Sequence, residues 1–111
     1  MDYYDIGIVY QNLKQYDIAL EYFLKSFTIF EKQRPNDHMN IGRLLHSIGK
    51  SYRLKGDFFR AELYLITARN VREKDMPKNH TTTSSTYFEL ASLYYDQHCY
   101  LMTLNYAKKS T

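Results

Sequence analysis

The chain has 111 residues, of which 44% are hydrophobic, and a formal net charge of +3. This apolar content excludes a disordered chain, because it can form a core, and the charge is too small for a dedicated DNA-binding domain. The single cysteine excludes an internal disulfide. With no membrane-spanning run and no signal peptide, the sequence predicts a soluble cytoplasmic protein of one domain, or a piece of a longer array.

The sequence repeats with a period of 42 residues. We divide it into units at about 1–38, 39–80 and 81–111, the last incomplete. Stacked units are the expected architecture, because a single unit cannot bury both of its faces. The residues that align in the first two units are Ile6-Gly7 with Ile48-Gly49, Tyr10 with Tyr52, Tyr16 with Phe58, Ala19 with Ala61, and Tyr22 with Tyr64.

Each unit is predicted to form two helices. In the second unit, apolar spacing predicts one helix over residues 39–54 and another over 58–74, separated by a turn at Gly56. Gly49 and Ala61 are small where the two helices must approach closely. The third unit matches more weakly, and we expect its turn near His98. The hydroxyl-rich segment 81–86 is expected to begin its first helix, with a hydroxyl as the cap.

These positions resemble the tetratricopeptide repeat family. The second unit carries the family's large, small and aromatic residues at Leu45, Ile48-Gly49, Tyr52, Gly56, Phe58, Ala61, Leu65 and Ala68. The resemblance covers almost the whole chain. It implies an all-α, right-handed superhelical solenoid of about three helix-turn-helix hairpins.

A period of 42 residues is longer than the family's usual repeat and resembles that of kinesin light chains. Units of that family close with a Glu-Lys pair, followed by a short loop that carries Asp-His-Pro. The corresponding segments here are Glu31-Lys32 with Pro35–His38, and Glu73-Lys74 with Pro77–His80, in which proline precedes histidine. The resemblance implies recognition of acidic peptides that carry an aromatic anchor. We find no heptad segment for pairing with a motor chain.

Neither catalysis nor metal binding is indicated by the sequence. His46 has no cysteine or acidic residue at metal-ligand spacing, and Cys99 has no positioned base in the sequence. His38 and His80 are repeat equivalents beside a loop proline, which favours a structural role, and His98 is expected at a turn. The glycines are scattered rather than grouped in a phosphate-binding loop. We therefore expect no enzyme activity, no catalytic residues, no metal and no cofactor.

The resemblance implies that the first helix of each hairpin lines a concave groove. Arg43, His46, Lys50 and Arg53 follow a single helical stripe, so we expect a basic centre with aromatic residues on either side. The predicted peptide-binding residues are Tyr4, Ile8 and Gln11 in the first unit, Arg43, His46, Lys50 and Arg53 in the second, and Phe88, Ser92 and Tyr95 in the third.

The leading hypothesis is an adaptor or scaffold module that binds a protein partner through an acidic peptide. One alternative is RNA binding by helical repeats, although nucleic acid fits less well, and another is a regulatory appendage of a larger enzyme. The basic stripe could also be simply a solvated helix face. No polar capping helix follows Leu101, Leu104 and Ala107, so we expect either further repeats or self-association at this end.

Overall fold

A computed structural model describes residues 2–74 and 80–109, with the side chains of 80–83, 103 and 105–109 outside the described set. Within these ranges every regular element is an α-helix, which confirms the predicted all-α stack of hairpins. The helices are α1 (Tyr3–Asn12), α2 (Tyr16–Gln33), α3 (His38–Lys55), α4 (Phe58–Glu73) and α5 (His80–Lys109).

Side-chain caps start these helices, and left-handed residues mark the turns between them. The side chains of Asp37 and Asp57 accept hydrogen bonds from the backbone N–H groups of Asn40 and Arg60, which caps α3 and α4. Between the helices of each hairpin one residue is left-handed, with φ of 62° at Lys14 and 97° at Gly56. Glycine adopts this conformation without steric cost, so Gly56 ends α3 as the sequence predicts.

Consecutive helices pack against each other in the order α1 to α5. The first helices of successive units also contact one another, α1 with α3 and α3 with α5, whereas α2 and α4 do not touch within the described residues. The first helices therefore lie on the inner, concave side of the stack. The predicted peptide-binding residues therefore lie on α1, α3 and α5, the helices on the inner side of the stack.

The hydrophobic core runs through the stack in three clusters. Gly49 permits a close approach of α3 and α4, because a Cβ atom there would lie 2.6 Å from Cγ of Leu65. The prediction that Gly49 and Ala61 are small for close packing is thus confirmed, since Ala61 is fully buried. The clusters are Ala19, Leu20, Phe23, Leu44 and Ile48; Ile41, Leu45 and Ala68; and Ala61, Leu65, Leu90 and Leu93.

The third unit differs from the prediction, because α5 continues through His98 without the expected turn. His98 and Cys99 occupy the repeat positions of Gly56 and Asp57, and they supply neither a glycine for the turn nor a carboxylate for a new cap. Continuation is also stabilised by packing, because the Tyr100 ring meets the Phe58 ring edge-on at 5.9 Å.

The hydroxyl-rich segment was expected to cap a helix, but α5 already begins at His80. Residues 81–86 therefore lie inside its first two turns. Residues 75–79, which precede α5, lie outside the described residues. Of the predicted uncovered residues, Leu101 and Leu104 are exposed, and the side chain of Ala107 lies outside the described set.

Candidate functional site

The inner side of the stack begins with an aromatic and cationic pair that joins the first two units. The guanidinium carbon of Arg43 lies 4.3 Å from the centre of the Tyr4 ring, and the Tyr4 hydroxyl accepts a hydrogen bond from Ser47 Oγ at 3.4 Å. Arg43 is exposed, whereas Ile8 is half-buried against the core. Arg43 can therefore still reach an anionic group while it is held over the ring.

Gln11 is placed on the same side but is buried between α1 and α3. Its amide Nε2 donates to the backbone oxygen of Ser47 at 3.3 Å and to Ser51 Oγ at 2.8 Å. Because these are buried hydrogen bonds across a unit boundary, Gln11 fixes the spacing of the first two units and presents little surface to a ligand.

Arg53 occupies the corresponding place at the next unit boundary. Its Nε lies 3.1 Å from Oε2 of Glu89, and Nη1 lies 2.8 Å from Oδ2 of Asp96. The Nζ atom of Lys50 is 4.0 Å from the other Glu89 oxygen. Glu89 is only 6% exposed. Two carboxylates thus balance the two cations that the sequence places at the centre of the groove.

The two unit boundaries use the same spacing along the chain. Gln11 and Ser47 are 36 residues apart, as are Arg53 and Glu89, while Tyr4 and Ser47 are 43 apart, as are Arg53 and Asp96. The sequence prediction missed Ser47, Ser51, Glu89 and Asp96. The signal that could have found Glu89 and Asp96 is the pairing of complementary polar residues at these two separations.

His46 lies deeper than a groove residue and belongs to a polar cluster between α3, α4 and α5. Its Nδ1 is 3.2 Å from Thr86 Oγ1 and 3.3 Å from Arg72 Nη1, and Arg72 also donates to Thr86 at 2.6 Å. Burial, together with the charges of Arg72 and Lys50, lowers the pKa of His46 to about 4. The ring is therefore neutral at physiological pH and contributes no positive charge.

The predicted residues of the third unit present the largest open apolar surface of the set. Phe88 is 70% exposed and Tyr95 is 69% exposed, with half-buried Ser92 between them in the helical spacing. Exposed aromatic side chains on a folded surface are typical of binding sites, because they offer large, rigid contact area.

Among the described residues, no group of three or more His, Cys, Asp or Glu side chains comes together to hold a metal ion. Cys99 is exposed on α5. No helix in the described ranges is both long enough and apolar enough to cross a membrane.

A family model described as tetratricopeptide repeat matches residues 2–74, which include α1 to α4. The chain belongs to the tetratricopeptide repeat family. Tetratricopeptide repeats generally mediate protein–protein interaction and are generally not catalytic. A search of curated proteins and a search of solved structures each found no match.

Proposed function

We propose that this tetratricopeptide repeat protein is an adaptor module that binds an extended, acidic segment of a partner protein on its inner side. The binding row consists of Arg43 and Lys50 of α3 with Phe88, Ser92 and Tyr95 of α5. The observation that carries the proposal is the exposure of Phe88 and Tyr95 on α5, the helix that contacts α3, which bears these two cations.

The cations of the inner side have separate tasks in this proposal. Arg53 is 14% exposed at its side chain and pairs with two carboxylates, so it joins the units. The side chain of Lys50 is 41% exposed, and its Nζ atom lies 4.0 Å from Glu89, which is the long end of an ion pair. Lys50 can therefore turn to a ligand carboxylate at little cost in free energy. Arg43 is exposed and offers two parallel N–H groups for a bidentate contact.

The aromatic residues supply the apolar anchor site. A ligand aromatic or leucine side chain that packs on Phe88 and Tyr95 removes apolar surface from water without rearranging the core. The row extends over two neighbouring first helices, and a spacing of about 10 Å between their axes gives it a width of roughly 10 to 20 Å, which an extended peptide of about five residues spans. Capture of acidic cargo peptides, as in kinesin light chains, is the form of binding that we propose.

The experiment is a fluorescence anisotropy titration with three labelled peptides. One is acidic with a single tryptophan, the second has Asn and Gln in place of its acidic residues, and the third has alanine in place of tryptophan. We expect saturable binding of the first and weaker binding of the other two. A labelled single-stranded RNA is titrated in parallel, and tight RNA binding without peptide binding would reject the proposal.

Matched variants locate the binding surface. Phe88→Ala should weaken binding of the acidic peptide by about tenfold, in the range of a hot-spot aromatic residue. Phe59→Ala is its control, because Phe59 is 76% exposed on α4, the second helix of its hairpin. Arg43→Glu should also weaken binding, whereas Lys32→Glu on α2 should not. Equal effects of each variant and its control would show that the peptide binds elsewhere.

A further inference from the structure

One face of α5 carries apolar residues at a spacing of seven. Tyr87, Tyr94 and Leu101 form one series, and each is followed directly by a second apolar residue, in the series Phe88, Tyr95 and Met102. All six side chains are between 42% and 70% exposed. We call these six residues the α5 stripe. A seven-residue apolar repeat keeps its members on one side of a helix, in the pattern of a coiled-coil seam.

The residues between the stripe members complete this seam. Ala91 and His98 lie between the members of the first series. With them, the positions 87, 91, 94, 98 and 101 alternate in steps of four and three, which is the spacing by which two helices pack in a coiled coil. Ala91 is exposed and small, which permits a close approach of another backbone. The hydroxyl of Tyr87 donates to Glu73 of α4, so this ring is held at the edge of the stripe.

The α5 stripe itself contains no charged residue. Within residues 84–102 the charged side chains are Glu89 and Asp96, and both are paired with Arg53 of α3, on the side where α5 packs against the stack. The six residues of the α5 stripe therefore carry no like charges that would repel an identical face, and the carboxylate beside them, Glu73, already accepts the Tyr87 hydroxyl.

The stripe is symmetric about its own centre. It is centred between Tyr94 and Tyr95, with one apolar pair seven residues before and one seven residues after. In an antiparallel pair of α5 helices, Tyr87 and Phe88 of one copy therefore oppose Leu101 and Met102 of the other. Ala91 of one copy then opposes His98 of the other, so that a small side chain packs against a large one. This reciprocity is what a two-fold interface between identical chains requires.

The area is sufficient for a stable dimer. An aromatic side chain offers about 150 to 250 Å², and four of the six stripe residues are aromatic with 46% to 70% exposure. Together with Leu101 and Met102 the stripe offers on the order of 600 Å² per copy, or about 1,200 Å² in a pair, which reaches the range of specific interfaces. We propose that two copies of the chain associate through antiparallel α5 helices.

Phe88 and Tyr95 belong to both the α5 stripe and the peptide-binding row. Self-association and peptide binding therefore compete for these two side chains. The self-association itself does not rest on the proposed function, because it is measured without any peptide.

The first test measures the mass of the chain in solution by light scattering and sedimentation over a wide range of concentration. We expect a reversible monomer–dimer equilibrium that approaches twice the mass of the chain. Tyr94→Glu should raise the dissociation constant at least tenfold, because it places two carboxylates at the dimer axis. Phe59→Glu, at the more exposed aromatic on α4, should leave the dissociation constant unchanged, and circular dichroism checks that both variants keep their helices.

The second test places a cysteine at the dimer axis. In a Tyr94→Cys, Cys99→Ser variant, the two thiols are separated by about one residue along the axis, and mild oxidation should produce a disulfide-linked dimer. The native chain is the matched control, because its two Cys99 residues are nine positions out of register, about 14 Å along the axis. A monomer at every concentration, open-ended assembly, or equal cross-linking through Cys99 would overturn the proposal.

Discussion

Arg53 of α3 and Glu89 of α5 form an ion pair of 3.1 Å at a chain separation of 36 residues, the separation at which Gln11 of α1 bonds to Ser47 of α3. The same geometric position thus joins units one and two through a neutral amide and units two and three through charges. Gln11 and Arg53, which the sequence predicted as groove residues, therefore hold the units at a fixed spacing. Contact with a ligand is left to the residues of the binding row.

Arg53→Met should destabilise the fold by roughly 2 to 4 kcal/mol, because it leaves the buried carboxylate of Glu89 without its main partner. Urea unfolding followed by circular dichroism measures the change. The double variant Arg53→Met, Glu89→Met should recover most of the loss, since it removes both charges. Lys55→Ala is the control, because it breaks an ion pair with Asp17 in which both side chains are well exposed, and little change is expected.

His46 should make the stability depend on pH. Its pKa is about 4 in the folded chain, below its ordinary value of 6.5, so the unfolded chain binds the additional proton between these values. Stability is therefore full above about pH 6.5 and falls as the pH drops towards 4, by about 2 kcal/mol on reaching pH 5. Urea unfolding at pH 8, 6 and 5 checks this. His46→Gln should reduce the slope, whereas His98→Gln on the exposed part of α5 should retain it.

The two hairpin turns should respond oppositely to exchange of their residues. Lys14 has a φ of 62° and Gly56 a φ of 97°, a region that costs a residue with a Cβ about 1 to 2 kcal/mol relative to glycine. Lys14→Gly should therefore stabilise the protein by about 1 kcal/mol, and Gly56→Ala should destabilise it by a similar amount. A Cβ at Gly56 meets no atom within 4 Å, so the second change tests the backbone alone. Thermal unfolding measures both, and a loss of stability in Lys14→Gly would contradict the explanation.

Gly49→Ala should destabilise the second hairpin by about 2 kcal/mol. The added Cβ would lie 2.6 Å from Cγ of Leu65 and 3.2 Å from its backbone nitrogen, so α3 and α4 must separate. The greater helix propensity of alanine offsets part of this cost. Ala91→Gly is the comparison at the same repeat position of α5, where the residue is exposed and the change costs helix propensity alone. Leu65→Ala alone should cost about 2 to 5 kcal/mol, because Leu65 is fully buried. In that background Gly49→Ala should destabilise the protein less than it does in the native chain, and an equal cost in both backgrounds would argue against a clash with the Leu65 side chain.

The first two units were predictable because their helices follow apolar spacing and end at residues with clear local preferences, such as Gly56. The continuity of α5 was not, because a turn in this position depends on what packs against it. Lys14 lies in a turn without glycine because α2 packs behind it, whereas at His98 the contact between Phe58 and Tyr100 favours a straight helix. The expected turn also hid the α5 stripe, since it divided the stripe between two helices.

The placement of charge was only partly predictable. Helical spacing puts Arg43, His46, Lys50 and Arg53 on one stripe, but it gives no information on what faces that stripe from the next unit. Glu89 and His46 show what helical spacing leaves out, namely the contacts made with other helices. Glu89 forms an ion pair with Arg53 across the unit boundary. His46 is neutral because burial lowers its pKa. Both effects arise from the packing of the helices rather than from the local sequence.

The difference between the two unit boundaries makes the array unevenly sensitive to ionic strength. Neutral hydrogen bonds of Gln11 and Tyr4 hold α1 to α3, together with the contact of Arg43 over the Tyr4 ring, and the neutral bonds change little with salt. Charges hold α3 to α5, and in 1 M salt the Debye length falls to about 3 Å, which weakens the partly exposed pair between Arg53 and Asp96 first. Concentrated salt should therefore loosen the stack at α5 alone, and amide hydrogen exchange would speed up along that helix while α1 to α3 keep their protection.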